Sequence, residues 1–570
     1  MREEKKMYKN YKKNYAYNEV SSFDDFKQVL EDSIKICEGR PAFKYKKGQE
    51  IVSVSYEEFY NDTKALGSAL AKLGSADKHV AVVGPNSYKW LTVFLTMLNA
   101  EGVFVPIDKE LPFEEIMRLV NDSDAEMFFF AEFYAENVEK NKENMPKVKK
   151  FVNLDAKEDN ESGTLSYDKL MEEGKALIES GYTGYTDMKP MYEELKMLVY
   201  TSGTTGQPKG VMLSLKNIVN CVYHGLRVST VYDVCLSVLP YHHTYESVCG
   251  ILVSLKKAAT ICINENLRTV AANLKLYKPK YIMLVPLFLE SFYKKIWANA
   301  EDTGKAGTLK KMIAVSNALL KTGVDMRPVF FKKIREVFGG DLVKIVCGGA
   351  PLRQELGEFF ESVGVYVCNG YGITECSPLI AANRDYYYNF ASVGNQLPCL
   401  ELKIYEPNAD GEGEICVRGN TVMLGYYKRP DLTKEVIEEN GWFHTGDFGK
   451  IGDDGRVYIT GRKKNMIVLK NGKNIYPEEV EDSLQSNKEI EEIIVSAIKG
   501  EDGEEIRLSA EIYPSPDMIE KMSDDELYDA IKKVVEASND KLPLYKRITK
   551  VVIRKTPFEK TTSGKIKRKY

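Results

Sequence analysis

What the chain lacks narrows its role before any motif is read. No stretch of its 570 residues is apolar for a bilayer-spanning length; the nearest, 90-WLTVFLTMLNAEGVFVPID-108, is broken by Asn99, Glu101 and Gly102. The amino end, 1-MREEKKMYKNYKKNY-15, is charged with no apolar core behind it, so it does not read as a secretory signal. Its lysines could make weak peripheral contact with anionic lipid, or could simply be a solvated, frayed end. A net charge of only -4 gives no global positive field, so nucleic acid is not an expected partner. None of the ten cysteines stands in a C-x-x-C pair, which removes zinc-ribbon and thioredoxin-type readings. A reducing, cytoplasmic setting fits such cysteine usage. No fixed-period repeat is present.

What is there has the texture of a multidomain globular protein, because 570 residues exceed what one core usually supports. Short β-rich runs alternate with amphipathic stretches: 79-HVAVVGPN-86, then 88-YKWLTVFLTMLNAEG-102, then 103-VFVPID-108. That order predicts a parallel sheet covered by helices, and it recurs around 259-ATICI-263, 280-KYIMLVP-286 and 343-VKIVCGGAP-351. The polar region 140–166 reads as a surface excursion, and 294-KKIWANAEDTGKAGTLKK-311 as an inserted helical unit. Asp454-Gly455, between 448-FGKI-451 and 456-RVYIT-460, signals a hairpin. The expected fold is α/β: a large amino-terminal domain of layered sheets and helices over 20–461, a hinge at 462–464, and a small α+β domain over 465–570.

The stretch 200-YTSGTTGQPKG-210 concentrates three glycines, four hydroxyls and a lysine after an apolar run. Glycine lets backbone N–H groups approach a ligand, and the hydroxyls and ammonium add donors, so the loop suits an anion. It lacks G-x-x-x-x-G-K-[ST], since Lys209 is followed by Gly210 and Val211, and is therefore not a Walker loop. The segment resembles the phosphate loop of the adenylate-forming (AMP-binding) superfamily, which includes acyl-CoA synthetases, peptide-synthetase adenylation domains and firefly-type luciferases. Further motifs of that superfamily follow in order: 369-NGYGITECSP-378, 413-GEICVRGNTVMLGYY-427, 441-GWFHTGD-447, 461-GRKKNMIVLKNGKNIYPEEVE-481 and 561-TTSGKIKR-568. The resemblance covers nearly the whole chain.

The resemblance implies roles residue by residue. Thr201, Ser202, Gly203, Thr204, Thr205 and Lys209 would hold the β- and γ-phosphates of ATP. Gly349, Ala350 and Pro351, with Gly370, Tyr371 and Gly372, would line the adenine end, Tyr371 offering a ring face. Thr374 would bond the α-phosphate and Glu375 would supply an oxygen ligand to Mg²⁺. Asp447 would accept from the ribose hydroxyls, and Arg462 would contact ribose or phosphate. Lys565 would bind both the carboxylate and the α-phosphate; its neighbours Lys567, Arg568 and Lys569 could equally be a solvated basic tail. Lys464 falls at the hinge position, Gly472 beside the pantetheine tunnel, and His243, in 238-VLPYHHTYES-247, near the carboxylate.

The chemistry implied is activation of a carboxylate by attack on the α-phosphate of ATP, followed by thiol attack on the acyl-adenylate. The segments 284-LVPLFLESFYKKI-296 and 344-KIVCGGAPL-352 look like the long-chain acyl-CoA synthetase branch, with an apolar pocket for a medium- or long-chain fatty acid and coenzyme A as acceptor. An acyl carrier protein acting in trans, or an acyl- or nucleotide-binding protein without catalysis, are the alternatives. The chain departs from its relatives at Leu287, where arginine is frequent, at Gly461, where aspartate is, and at Val468, where lysine is. Lys470 could take over that last lysine's role.

Overall fold

The computed structural model describes residues 13–201, 208–469, 474–485, 487–499, 506–560 and 566–568. The chain divides into two compact units, residues 1–401 with 417–443, and residues 402–416 with 444–570.

The first unit is built on two large sheets. In the eight-stranded one, the expected run is present as strand His79–Val83, helix Tyr88–Asn99 and strand Val103–Ile107, with His79 opposite Val103 in a parallel pair. Ser87 caps the helix by accepting from the Trp90 N–H at 3.2 Å. Every residue of Val103–Ile107 and of Met127–Phe130 is buried, which is why both runs are apolar without alternation. Helix Tyr167–Glu179 lies close on helix Tyr56–Lys72, because a Cβ at Gly174 would stand 1.9 Å from the Ala65 carbonyl oxygen. The expectation of a surface excursion over 140–166 needs correction. Lys150–Asn153 and Leu165–Ser166 extend the sheet in parallel beyond Met127–Phe130. Strands this short carry too few residues for a period to emerge from the flanking lysines.

The nine-stranded sheet has a parallel centre containing Val234–Ser237, Thr260–Ile263, Tyr281–Leu284, Lys344–Cys347 and Tyr366–Gly372. The sequence expectation holds for Thr260–Ile263, Tyr281–Leu284 and Lys344–Cys347; Val234–Ser237 and Tyr366–Gly372 are strands that it did not include. The stretch expected as a helical insert belongs to helices Pro286–Asp302 and Ala306–Lys321; Phe292 and Ile296 of the first pack on the buried cluster containing Phe331, Phe338 and Phe360. Among the described residues, no helix is long and apolar enough to cross a membrane.

In the second unit, strands Phe443–Ile451 and Val457–Arg462 form the hairpin signalled by Asp454-Gly455, with Gly455 at φ 71°. Positive φ at that turn is what selects glycine. A three-stranded sheet, Ile490–Lys499, Ile506–Pro514 and Ile548–Ile553, is packed with helices Pro477–Gln485 and Asp524–Asn539 around Val480, Leu484, Ile512 and Ile531. The isoleucine and valine of the strands and the four-residue spacing of Leu527, Ile531 and Val535 on one helix face produce that core.

Candidate active site

In the first unit, strands Leu195–Thr201 and Lys209–Ser214 are antiparallel neighbours, with Thr201 directly opposite Lys209. The glycine- and hydroxyl-rich segment therefore joins two adjacent strand ends. Thr201 and Lys209 bracket it, while Ser202, Gly203, Thr204 and Thr205 lie outside the described residues. The Lys209 ammonium lies 4.9 Å from the centroid of the Tyr426 ring, an attractive cation–π distance.

Tyr426 then connects the lysine to Glu375. Its hydroxyl donates to Glu375 Oε1 at 3.0 Å, and the Met423 N–H donates to the Glu375 carbonyl at 2.8 Å. Burial and the adjacent carboxylate push the Tyr426 phenol well above its ordinary range, so it stays a donor. Thr374 and Glu375 sit on a tight turn, Thr374–Cys376, in which the Ile373 N–H reaches the Pro378 carbonyl at 2.8 Å and Ser377 donates to the Thr421 carbonyl at 2.8 Å. Tyr426 falls inside a recognised motif, yet nothing in its local sequence assigned it a partner 51 residues away.

At the ends of strands Lys344–Cys347 and Tyr366–Gly372, glycines bring two backbones together. A Cβ on Gly348 would meet the Gly370 carbonyl oxygen at 3.4 Å and the Tyr245 ring at 3.3 Å. Gly349, Gly370, Tyr371 and Gly372 all line a cavity of about 100 Å³, which continues past Tyr245, Cys249 and Val346. Ala350 and Pro351 are not among its lining residues; they continue the loop after Gly349.

His243 is not part of that cavity's lining, although Tyr245, two residues on, is. Its carbonyl accepts from the Glu246 and Ser247 N–H groups and from the Ser247 hydroxyl, at the entrance of a π-helix over Tyr245–Leu252. π-Helical turns occur disproportionately at functional sites. The His243 ring lies 4.1 Å, centroid to centroid, from that of His242. His242 is buried, 3.5 Å from Asp108, and burial followed by the neighbouring His243 holds it well below its ordinary pKa. Glu246 is fully buried and accepts from Ser237 Oγ at 2.5 Å; burial pushes its carboxyl up to about 8.

In the second unit, Asp447 and Arg462 face each other across the hairpin, Arg462 Nε standing 2.9 Å from Asp447 Oδ1. Asp447 is only 3 % exposed, and its N–H donates to Thr445 Oγ1 at 3.1 Å. Glu414 organises the same turn: it accepts from the Gly446 N–H at 3.1 Å and pairs with Lys463 at 2.8 Å. Lys464 is on the 3₁₀ turn Lys463–Asn465, its pKa lowered by partial burial and then by Arg462 and Arg568. Lys565, Gly472, Lys470 and Lys569 lie outside the described residues. Arg568 is not a solvated tail residue: it pairs with Glu481 at 2.5 Å and is 18 % exposed.

Among the described residues no group of three or more His, Cys, Asp or Glu side chains could hold a metal by itself. Glu375 alone fits Mg²⁺ nonetheless, since that ion commonly takes one or two carboxylates and completes its shell with substrate phosphates and water.

Anion-suited strand ends beside a lysine, a glycine-lined slot and an apolar cavity belong to an enzyme that handles a nucleotide together with an apolar molecule. The chain is a member of the AMP-binding enzyme family, whose model matches residues 30–427; the AMP-binding enzyme C-terminal domain matches residues 464–570. It is 28% identical over 541 residues to the long-chain-fatty-acid–CoA ligase 5 of Mus musculus, covering 87% of this chain and 77% of that one. To the long-chain-fatty-acid–CoA ligase FadD15 of Mycobacterium bovis it is 28% identical over 465 residues, covering 78% and 75%. Its fold matches the anthranilate CoA ligase AuaEII, solved with anthranoyl-AMP, at a TM-score of 0.75 and 19% identity, covering 97% of this chain and 96% of that one. The adenylation domain of a carboxylate reductase from Mycobacterium chelonae matches at a TM-score of 0.76 and 20% identity, covering 95% and 88%.

Proposed function

We propose that the chain activates a medium- or long-chain fatty acid with ATP, releasing pyrophosphate, and transfers the acyl group from the acyl-adenylate to coenzyme A with release of AMP. The observation that carries this reading is the cavity that runs from the glycine-lined slot at Gly349, Gly370 and Gly372 past Tyr245, Cys249 and Val346. A carboxylate held beside the slot, next to the α-phosphate position at Thr374, would leave its hydrocarbon tail in the cavity, where burial gains on the order of 0.8 kcal/mol per methylene. The relatives named as long-chain-fatty-acid–CoA ligases support the same reading.

A carboxylate is a poor acyl donor because its leaving group would be oxide. When its oxygen attacks the α-phosphorus of ATP, the bond to the pyrophosphate bridging oxygen breaks, and the carbonyl then carries AMP as a good leaving group. Charge develops on phosphorus oxygens, so placed donors and cations do most of the work. In this mechanism Thr201, Ser202, Gly203, Thr204, Thr205 and Lys209 hold the departing pyrophosphate, and Thr374 bonds the α-phosphate. Glu375, oriented by Tyr426, would ligate Mg²⁺, which supplies charge neutralisation between the phosphates. Tyr371, Gly349, Ala350, Pro351, Gly370 and Gly372 take the adenine end, Asp447 and Arg462 the ribose, and His243 borders the carboxylate. Lys565 serves the first half-reaction, Lys464 is the hinge about which residues 465–570 reorient, and Gly472 serves the thiol half-reaction.

Pyrophosphate release measured across carboxylic acids from acetate to oleate, with and without coenzyme A, tests this. Turnover that needs both an apolar acid and free coenzyme A is expected. Turnover only with a holo carrier protein would replace coenzyme A as the acceptor, and absence of pyrophosphate with every acid would end the ligase reading.

A further inference from the structure

The cavity has a polar end. Strands Lys344–Cys347 and Tyr366–Gly372 pair in parallel with Lys344 opposite Tyr366 and Val346 opposite Cys368. Alternation along a strand sets Lys344, Val346 and Gly348 on one face, and all three line the cavity. Gly348 marks the slot, Val346 the middle and Lys344 the far end. The facing wall repeats this order, since Gly225 lines the cavity and Ser229 and Thr230 line it beyond the end of helix Leu215–Val228.

At that far end, Lys344 is 1 % exposed and all three of its ammonium hydrogens have acceptors: Ser229 Oγ at 2.5 Å, the Thr230 carbonyl at 2.6 Å and Asp385 Oδ1 at 2.6 Å. Asp385 in turn accepts from Ser229 Oγ at 2.8 Å and from the Thr230 N–H at 2.9 Å. The knot is backed by its neighbour Arg384, fully buried, which donates to the carbonyls of Tyr15 and Ala16 and stacks on the Tyr15 ring at 3.8 Å. Separating a buried, fully bonded ion pair costs several times what one more buried methylene gains, so a methyl terminus arriving here stops.

We propose that the Lys344–Asp385 pair, with Ser229 and Thr230, is the floor of the acyl pocket and sets its length, making medium-chain acids the preferred substrates; this rests on the acyl-activating reading of the cavity. Gly348 is four residue steps along the strand from Lys344, about 13 Å of extended strand. A zigzag chain of ~1.5 Å bonds advances about 1.25 Å per carbon, so about ten carbons fill that depth. Palmitate or oleate overruns it.

The test is kcat/KM for pyrophosphate release over saturated acids from butyrate to stearate, for the natural chain, Lys344→Ala/Asp385→Asn and Val346→Phe. The natural profile is expected to peak between octanoate and dodecanoate and to fall at least tenfold by palmitate. Lys344→Ala/Asp385→Asn, which removes the charge pair and opens the floor, shifts the peak at least two carbons longer. Val346→Phe, which fills the middle and leaves the floor intact, shifts it shorter, so the proposal stays testable even if the double variant does not fold. A natural peak at palmitate or longer, or a profile that neither variant moves, overturns the floor while leaving the ligase reading standing. No pyrophosphate from any acid with the natural chain ends that reading and the floor with it.

Discussion

Asp447 and Arg462 are directly opposed in an antiparallel strand pair, and the guanidinium closes on the carboxylate with Nε 2.9 Å from Oδ1. The carboxylate is buried and the arginine side chain is 43% exposed, so the pair is neither a dry ion pair nor a screened surface one. The arginine fixes where the carboxylate oxygens point.

Asp447→Asn is therefore expected to raise the KM for ATP about tenfold or more, as loss of a charge-assisted acceptor for ribose hydroxyls, worth ~1.5–3 kcal/mol, requires. Arg462→Ala is expected to cost about 1 kcal/mol of stability, because its exposed side is screened. Initial-rate kinetics with ATP varied, and denaturant melts of both variants, check the two effects separately. An Asp447→Asn enzyme with unchanged KM for ATP would remove the ribose role.

The Glu375–Tyr426 bond makes a second, graded prediction. Glu375→Gln keeps the acceptor for the Tyr426 hydroxyl but loses the charge a divalent cation needs, so half-maximal pyrophosphate release should require at least tenfold more Mg²⁺. Tyr426→Phe removes only the donor that orients the carboxylate, a loss of ~1 kcal/mol or about fivefold in kcat/KM. A Mg²⁺ titration of each variant separates them. Equal Mg²⁺ dependence in all three proteins would take Glu375 out of metal binding.

Much of the architecture is written locally. The strand, helix and strand over 79–108, the Asp454-Gly455 hairpin and the strands Thr260–Ile263, Tyr281–Leu284 and Lys344–Cys347 all follow from periodicity, capping and turn chemistry, which involve residues a few positions apart. What the sequence does not carry are partners chosen by the fold. Tyr426 meets Glu375, Lys344 meets Asp385 and Arg568 meets Glu481 across 51, 41 and 87 residues, and none of the three pairs leaves a local signature. Lys150–Asn153 is hidden for a different reason: it sits between Met127–Phe130 and Leu165–Ser166 through backbone hydrogen bonds, which depend little on side-chain pattern.

Two buried ionisable groups predict opposite pH trends in stability. Glu246 is pushed up to about 8 from an ordinary 4.5, so its folded form holds a proton that the unfolded chain has released. Its contribution is present below pH 4.5 and is lost as pH rises through about 8. Lys196, donating to the carbonyls of Ala100 at 2.5 Å and Gly102 at 2.8 Å, is lowered by burial to about 7 from 10.5. Its contribution is present above pH 10.5 and is lost as pH falls through about 7. Denaturant melts should then show the natural protein losing more stability than Glu246→Gln between pH 5 and 8, and gaining more than Lys196→Met between pH 7 and 9.5. Parallel pH profiles for a variant and the natural protein would mean that the group titrates normally in the fold.

Arg568 carries the last prediction, because it pins the chain just past the segment that contains Lys565. Lys560 pairs in an isolated bridge with Ile566, the Lys567 N–H donates to the Glu559 carbonyl at 2.7 Å, and Arg568 reaches Glu481 at 2.5 Å. Glu481 lies in the core of the second unit and accepts from the Val495 N–H at 2.6 Å; burial pushes it up to about 7 even with Arg568 beside it. Without the arginine, the carboxyl would be held higher still, and the chain immediately before residue 568 would lose its anchor. Arg568→Ala should therefore slow acyl-adenylate formation about tenfold while leaving thioester formation from supplied acyl-adenylate within about twofold, since ~1.4 kcal/mol of lost positioning is a tenfold change in rate. Lys565→Ala should abolish the first half-reaction far more severely with the same sparing of the second. If Arg568→Ala slows both half-reactions equally, the pair with Glu481 holds the unit together and does not position the lysine.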